Sequence, residues 1–371
     1  MCVSVVAMSG CEVASLEVEP HWTLRDILQL LDLEGGTASF ERRLLHGDLE
    51  IRGGLTLAEA RVVAGSVLTL VRCNRMLTAV TASADGTVKL WNTETQECCR
   101  TLKVHDCGIW SAALSPDGTS VLTGSKDSTA RIWDVGSGEC LQTFQGHVDE
   151  VCAAVFSLDV DHVLTASDDC TAKLWSIESG ECLQTFRGHE GIVFSAVFSP
   201  LEEGEVLTAS GDCTARIWSS RSGNNLRTFR GHGDSVSSAA FAPHGKTVVT
   251  ASKDGSAKLW SAECGQCLQT LQHDDASIYS AVFSPDGLSV LTACADRSAK
   301  LWNAKFGSEP LSFEGHGQRV LSATFSPDGG SVVTASLDGT AKLWSIASGL
   351  CVGTLRGHQS SVLTAVFGFA V

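Results

Sequence analysis

The stretch VLTASDDCTAKLW, residues 163–175, carries Thr165, Asp169 and Trp175, with the threonine ten and the aspartate six residues ahead of the tryptophan. The same spacing returns along most of the chain. Tryptophans stand at Trp91, Trp133, Trp175, Trp218, Trp260, Trp302 and Trp344, 42 residues apart except for one interval of 43. Six residues before each lies Asp85, Asp127, Asp169, Asp212, Asp254, Asp296 or Asp338. Ten residues before each lies Thr81, Thr123, Thr165, Thr208, Thr250, Thr292 or Thr334. Six of the tryptophans also have a histidine 28 or 29 residues upstream: His105, His147, His189, His232, His273 and His316.

One unit reads as four short strands. Around Trp175 these are Val151 to Phe156, Val163 to Ser167, Thr171 to Trp175 and Cys182 to Phe186, separated by turn residues such as Ser179-Gly180. Ser-Pro-Asp-Gly turns recur at 115–118, 284–287 and 326–329. The extra residue before Trp218 falls in the same turn, at 200–204. A unit of this kind cannot bury both of its faces alone, so the units must stack around one axis.

A period near 42 with four strands and these offsets resembles the WD-repeat family, whose fold is a β-propeller. The resemblance implies that His, Thr, Trp and Asp of each unit form a buried tetrad. Aspartate accepts from histidine, histidine pairs with the threonine hydroxyl, and threonine accepts from the indole N–H, which is only a donor. Every buried polar atom then has a partner. Seven copies of one clamp are scaffold and not seven nucleophilic triads, so no catalytic residue is expected.

The first unit lacks an upstream histidine, whereas His358 stands near the other end of the chain and is followed by an apolar run, 362–369. The expected fold is a mostly β, seven-bladed propeller over residues 76–371, its first blade completed by 362–369. A competitor for that slot is Val67 to Arg72, which has the same distance to Ser83 as Val320 has to Ser336. The later strand is favoured because His358 precedes it.

Residues 1–72 read as two strands, a helix through Leu24, Ile27, Leu28 and Leu31, and two further strands through Leu44 and through Ser66 to Arg72. With the segments SLEVEP (15–20), RRLLHG (42–47), TLAEARV (56–62) and SVLTLVR (66–72), this order resembles the small α+β ubiquitin-like (β-grasp) fold. The resemblance implies a receptor-binding apolar patch at Leu44 with Val71 or Leu70. It departs at its end: no Gly-Gly follows Arg72 before the repeats. A built-in docking module is therefore implied and not a conjugated modifier.

Formal net charge is −15, from 27 Lys+Arg against 42 Asp+Glu. That argues against direct nucleic-acid binding and against bulk attraction to anionic membrane. No apolar run is long enough for membrane insertion. Five of the 15 cysteines (Cys98, Cys140, Cys182, Cys267, Cys351) follow a repeat tryptophan by seven residues. They read as small apolar fillers of a chain kept reduced, hence cytoplasmic or nuclear. Cys264 and Cys267 have CxxC spacing with no second pair, so neither a metal nor a cofactor is expected.

Function is expected on the rim of the propeller, where protein partners would present peptide segments. The rim positions start each innermost strand, stand two residues before that position, or precede each tetrad aspartate. They include Trp110, Phe194, Tyr279, Leu321 and Leu363, together with Lys126, Glu150, Asp168, Lys253, Arg319 and Leu337. Aromatic anchors beside mixed charges suit a desolvated peptide pocket. The expectation is a non-enzymatic adaptor, tied through its first domain to ubiquitin receptors or proteasome components. The alternative is a structural subunit of a ciliary, RNA-processing or signalling assembly. Oligomeric state is open.

Overall fold

The computed structural model describes residues 2–7, 12–22, 40–46, 49–51, 56–58, 60–74, 76–201, 204–273, 276–305 and 310–370. The helix expected through Leu24 to Leu31 lies outside these. Among the described residues no helix is long and apolar enough to cross a membrane. The chain divides into two compact units, Met1–Met76 and Leu77–Val371.

The first unit is built on a five-stranded sheet of β1 (Cys2–Ala7), β2 (Glu12–Glu17), β3 (Phe40–His46), β4 (Leu49–Ile51) and β5 (Val67–Asn74). Their order is β2-β1-β5-β3-β4, with β1 and β5 parallel and β5 antiparallel to β3. Strand alternation turns Val3, Val5 and Leu68 to one face, where Val18, Leu57, Ala60 and Val62 complete a buried core. Strand β5 is central in this sheet, which occupies both of its hydrogen-bonding edges.

The second unit is seven four-stranded antiparallel sheets. The innermost strands of neighbouring sheets touch one another in succession, and the last, Val362–Ala370, touches the first, Ile109–Leu114. The result is a closed seven-bladed propeller. We number the blades by their tryptophans, from blade 1 (Trp91) to blade 7 (Trp344). Blade 1 joins Val362–Ala370 to Met76–Ser83, Thr87–Asn92 and Cys98–Lys103, so the two ends of this unit share one sheet. Closure by hydrogen bonds between remote segments leaves no open seam in the ring.

Burial follows the strand order. The second strand of a blade, such as Val206–Ser210 within Glu205–Ser210, is buried throughout because neighbouring blades cover both of its faces. The outermost strands are largely exposed, and Cys98, Cys140, Cys182, Cys267 and Cys351 are exposed with them. The reading of these cysteines as core fillers is thereby corrected: the outermost strand of a blade has solvent on one side, and seven residues past the tryptophan is on that side.

Candidate functional site

The tetrads were expected as scaffold, and their geometry accounts for that role. In all seven blades the indole N–H donates to the threonine hydroxyl, at 2.8 to 3.0 Å. In six blades the histidine Nδ1 lies 2.7 to 3.3 Å from the aspartate Oδ2. Blade 1 draws its histidine from the other end of the unit, with His358 Nε2 2.7 Å from Thr81 Oγ1. Burial pushes His105, His189, His232, His316 and His358 below the ordinary imidazole value, although the adjacent aspartate pulls each the other way. The carboxylates move down too. Burial alone would raise Asp254, but hydrogen bonds from Ser256, the Gly233 N–H and His232 hold it down at about 2.

The turn after each second strand carries the rim. In every blade the N–H of the residue before the tetrad aspartate donates to the carbonyl of the residue before the innermost strand. These bonds are 2.8 to 3.1 Å: Ala84 to Ser361, Lys126 to Gly108, Asp168 to Glu150, Gly211 to Ile192, Lys253 to Ser235, Ala295 to Ser277 and Leu337 to Arg319. One repeated backbone contact therefore brings both sets of rim residues to the same mouth.

Side chains on this mouth are tied in pairs. Trp110 Nε1 donates to Glu150 Oε2 at 2.6 Å, and Lys126 Nζ stands 4.8 Å from the Trp110 ring centroid. Lys253 Nζ lies 5.2 Å from the centroid of Phe194. Arg319 Nη1 donates to the Tyr279 hydroxyl at 3.1 Å. Trp110, Phe194 and Tyr279 belong to blades 2, 4 and 6, and each is held by a charged residue of the following blade. All three rings are half-buried, and the three cations are exposed. Leu321, Leu337 and Leu363 are half-buried on the same rim. Asp168 accepts from the Cys152 thiol at 2.8 Å, and burial raises both groups above their ordinary values.

A four-residue clamp in a four-stranded blade, repeated seven times, fits one repeat family. The model of the WD domain, G-beta repeat, matches residues 65–92, 96–134, 138–176, 180–219, 223–261, 265–303 and 307–345. The chain belongs to the WD-repeat family. Each full WD match spans the outermost strand of one blade and three strands of the next, so successive WD units interlock. The first match is short, and its opening overlaps Val67–Asn74, which the structure pairs in the N-terminal sheet. No match to the chain was found among curated proteins.

The opposite mouth held a surface that the sequence reading passed over. The innermost strands end there in Phe198, Phe241, Phe283 and Phe325, which line a groove of about 420 Å³ with Pro200, Pro243, Pro285 and Pro327. Of these prolines, Pro200, Pro285 and Pro327 read in the sequence only as turn residues. The visible signal was a phenylalanine two residues before each of them. Leu44 and Val71 are placed in β3 and β5 of the N-terminal sheet, where Arg43 is opposite Val71 and Leu44 opposite Leu70; their side chains lie outside the described residues.

Proposed function

We propose that this chain is a non-enzymatic adaptor whose propeller holds partner peptides at the mouth lined by Trp110, Phe194 and Tyr279. WD repeats generally serve as protein-interaction scaffolds. The observation that carries the reading is the set of three half-buried aromatic rings in alternate blades, each fixed by a charge of the next blade. Rings already held in place lose little freedom when a partner arrives, which lowers the cost of binding. The exposed ammonium and guanidinium groups of Lys126, Lys253 and Arg319 add orientation for acidic or carbonyl groups of a peptide. Glu150 and Asp168 repel acidic ligands on the blade 3 side, so the partner would lie asymmetrically across the mouth.

In this reading the N-terminal unit is a ubiquitin-like docking module and the whole chain works in a reducing cytoplasmic or nuclear setting. The strand order β2-β1-β5-β3-β4 with parallel β1 and β5 supports the first part. A joint experiment tests both surfaces. Partners recovered with the full chain should be lost by Trp110→Ala/Tyr279→Ala while its unfolding transition persists. Binding to ubiquitin-receptor domains should weaken in Leu44→Ala. Recovery of the same partners by the double variant ends the peptide-mouth reading, and no receptor binding by the wild-type chain ends the ubiquitin link.

A further inference from the structure

Blade 6 departs from the other six in three linked ways. Its histidine comes early: His273 follows Trp260 by 13 residues, whereas every other tetrad histidine follows the preceding tryptophan by 14. Five of those other histidines are preceded by a glycine whose φ lies between +137° and +149° and whose Cα side faces the tryptophan ring. Gln272 stands before His273 instead, so that left-handed step is absent and the imidazole enters from one residue further back. Its ring centroid is 4.8 Å from that of Trp302, closer than the 5.7 to 6.4 Å of the other blades.

The second departure is chemical. Where the other blades have Ser83, Ser125, Ser167, Ser210, Ser252 and Ser336, blade 6 has Cys294. In those six the serine hydroxyl accepts from the N–H of the tetrad aspartate at 3.1 to 3.3 Å. Here the Cys294 Sγ lies 3.1 Å from His273 Nδ1, on the nitrogen that faces aspartate elsewhere. Third, Asp296 Oδ2 meets Lys300 Nζ at 3.2 Å, as Asp127 and Asp212 meet Arg131 and Arg216, but the histidine Nδ1 of this blade faces the thiol.

We infer that His273, Cys294 and Asp296 form a binding site for a zinc-like divalent cation. One ligand atom from each lies within 4.8 Å of the others. A tetrahedral ion with bonds of about 2.0 to 2.3 Å needs its ligand atoms roughly 3.5 Å apart, so a small closing movement of Asp296 completes the three. Thiolate, imidazole and carboxylate together suit zinc better than magnesium or calcium, which prefer oxygen alone. The fourth position is left to water on the side of exposed Asp296.

The surroundings hold the imidazole in the form a metal needs. Thr292 Oγ1 lies 3.1 Å from His273 Nε2, receives the Trp302 indole N–H at 3.0 Å and donates to the Lys300 carbonyl at 3.2 Å. In the tautomer with Nε2–H on Thr292 Oγ1, the Nδ1 lone pair faces Cys294 Sγ, the geometry a metal would use. Such a second partner on a metal-binding histidine fixes its tautomer and orientation. In the metal-free chain Sγ and Nδ1 lie 3.1 Å apart, within reach of one shared thiol proton. Binding replaces this proton: the S–H bond breaks, a sulfur–metal bond forms, and one proton leaves to solvent with no change of oxidation state.

The test uses cobalt(II) as a spectroscopic probe on the chelator-treated full chain, in a Cys264→Ser/Cys267→Ser background that removes the exposed CxxC pair. One cobalt per chain is expected, with a thiolate-to-cobalt absorption band displaced by zinc and one proton released per ion. Cys294→Ser, which restores the residue of the other six blades, should abolish the band and leave metal-free unfolding unchanged. Asp296→Asn should weaken binding by about tenfold or more. A band that survives Cys294→Ser, or the absence of any saturable band in the parent chain, overturns the site.

Discussion

Lys253 and Asp254 are neighbours in one turn, yet they belong to different regimes. Asp254 is repeated in kind in every blade and is gripped by His232, Ser256 and the Gly233 N–H. Lys253 has Ala84, Lys126, Asp168, Gly211, Ala295 and Leu337 as its counterparts, and it is exposed. The contrast holds around the whole ring: an interior layer that repeats and a rim, one residue away, that varies. Repetition marks positions where a blade must meet the same packing and hydrogen-bonding demand seven times. Variation marks positions where the fold makes no such demand.

The contrast can be broken at its base by opening the ring. A chain ending at residue 357 loses His358 and the strand Val362–Ala370, and with them the histidine and innermost strand of blade 1. Its melting temperature should fall by roughly 10 °C or more in calorimetry, since several kcal/mol of packing and pairing go together. An unchanged transition would mean that blade 1 is closed in some other way.

Within the ring, Asp254→Ala should cost about 1–3 kcal/mol by stripping a buried histidine of its partner. Asp296→Ala in metal-free buffer should cost less, because His273 Nδ1 faces Cys294 instead. Equal losses in denaturant titrations would erase the distinction drawn for blade 6.

Acidification probes the interior layer as a set. The five histidines lowered by burial have folded-state values under 6.5, so the unfolded chain takes up protons first. Stability should therefore decline as pH falls below about 6.5. The aspartates add a second decline below their ordinary 3.8, extending to about 2 for Asp254 and Asp338. A melting temperature that is flat between about pH 7.5 and 5.5 would contradict the buried neutral histidines.

The smallest effect on stability belongs to the rim. Replacing Lys126, Lys253 and Arg319 with alanine should change stability by under about 0.5 kcal/mol per site, as is usual for exposed positions. Partner capture should nevertheless fall. A large loss of stability would show that the cations hold the blades together and are not free for a ligand.

Much of the fold is legible in the sequence. The tryptophan grid carried the blade count, and the missing upstream histidine of Trp91 pointed to His358. Both follow from a period, and a period survives in one dimension. The mouth was legible only as a collection of positions. That Trp110 meets Glu150 40 residues on, or Arg319 meets Tyr279 across the same interval, depends on blades lying side by side. The exposed cysteines were misread because spacing from tryptophan says which strand they occupy and not which side is wet.

Blade 6 marks the boundary most clearly. The one-residue displacement of His273 and the cysteine at 294 were both present in the sequence, as small breaks in a repeat. By itself the sequence determined the repeat, the tetrad chemistry and the acidic charge, because these depend on residue type and local spacing. Tertiary structure alone decided the pairing of rim side chains between blades and the meeting of His273, Cys294 and Asp296. Each of these rests on distances between segments far apart in the chain, which only packing around a common axis brings within a few ångströms.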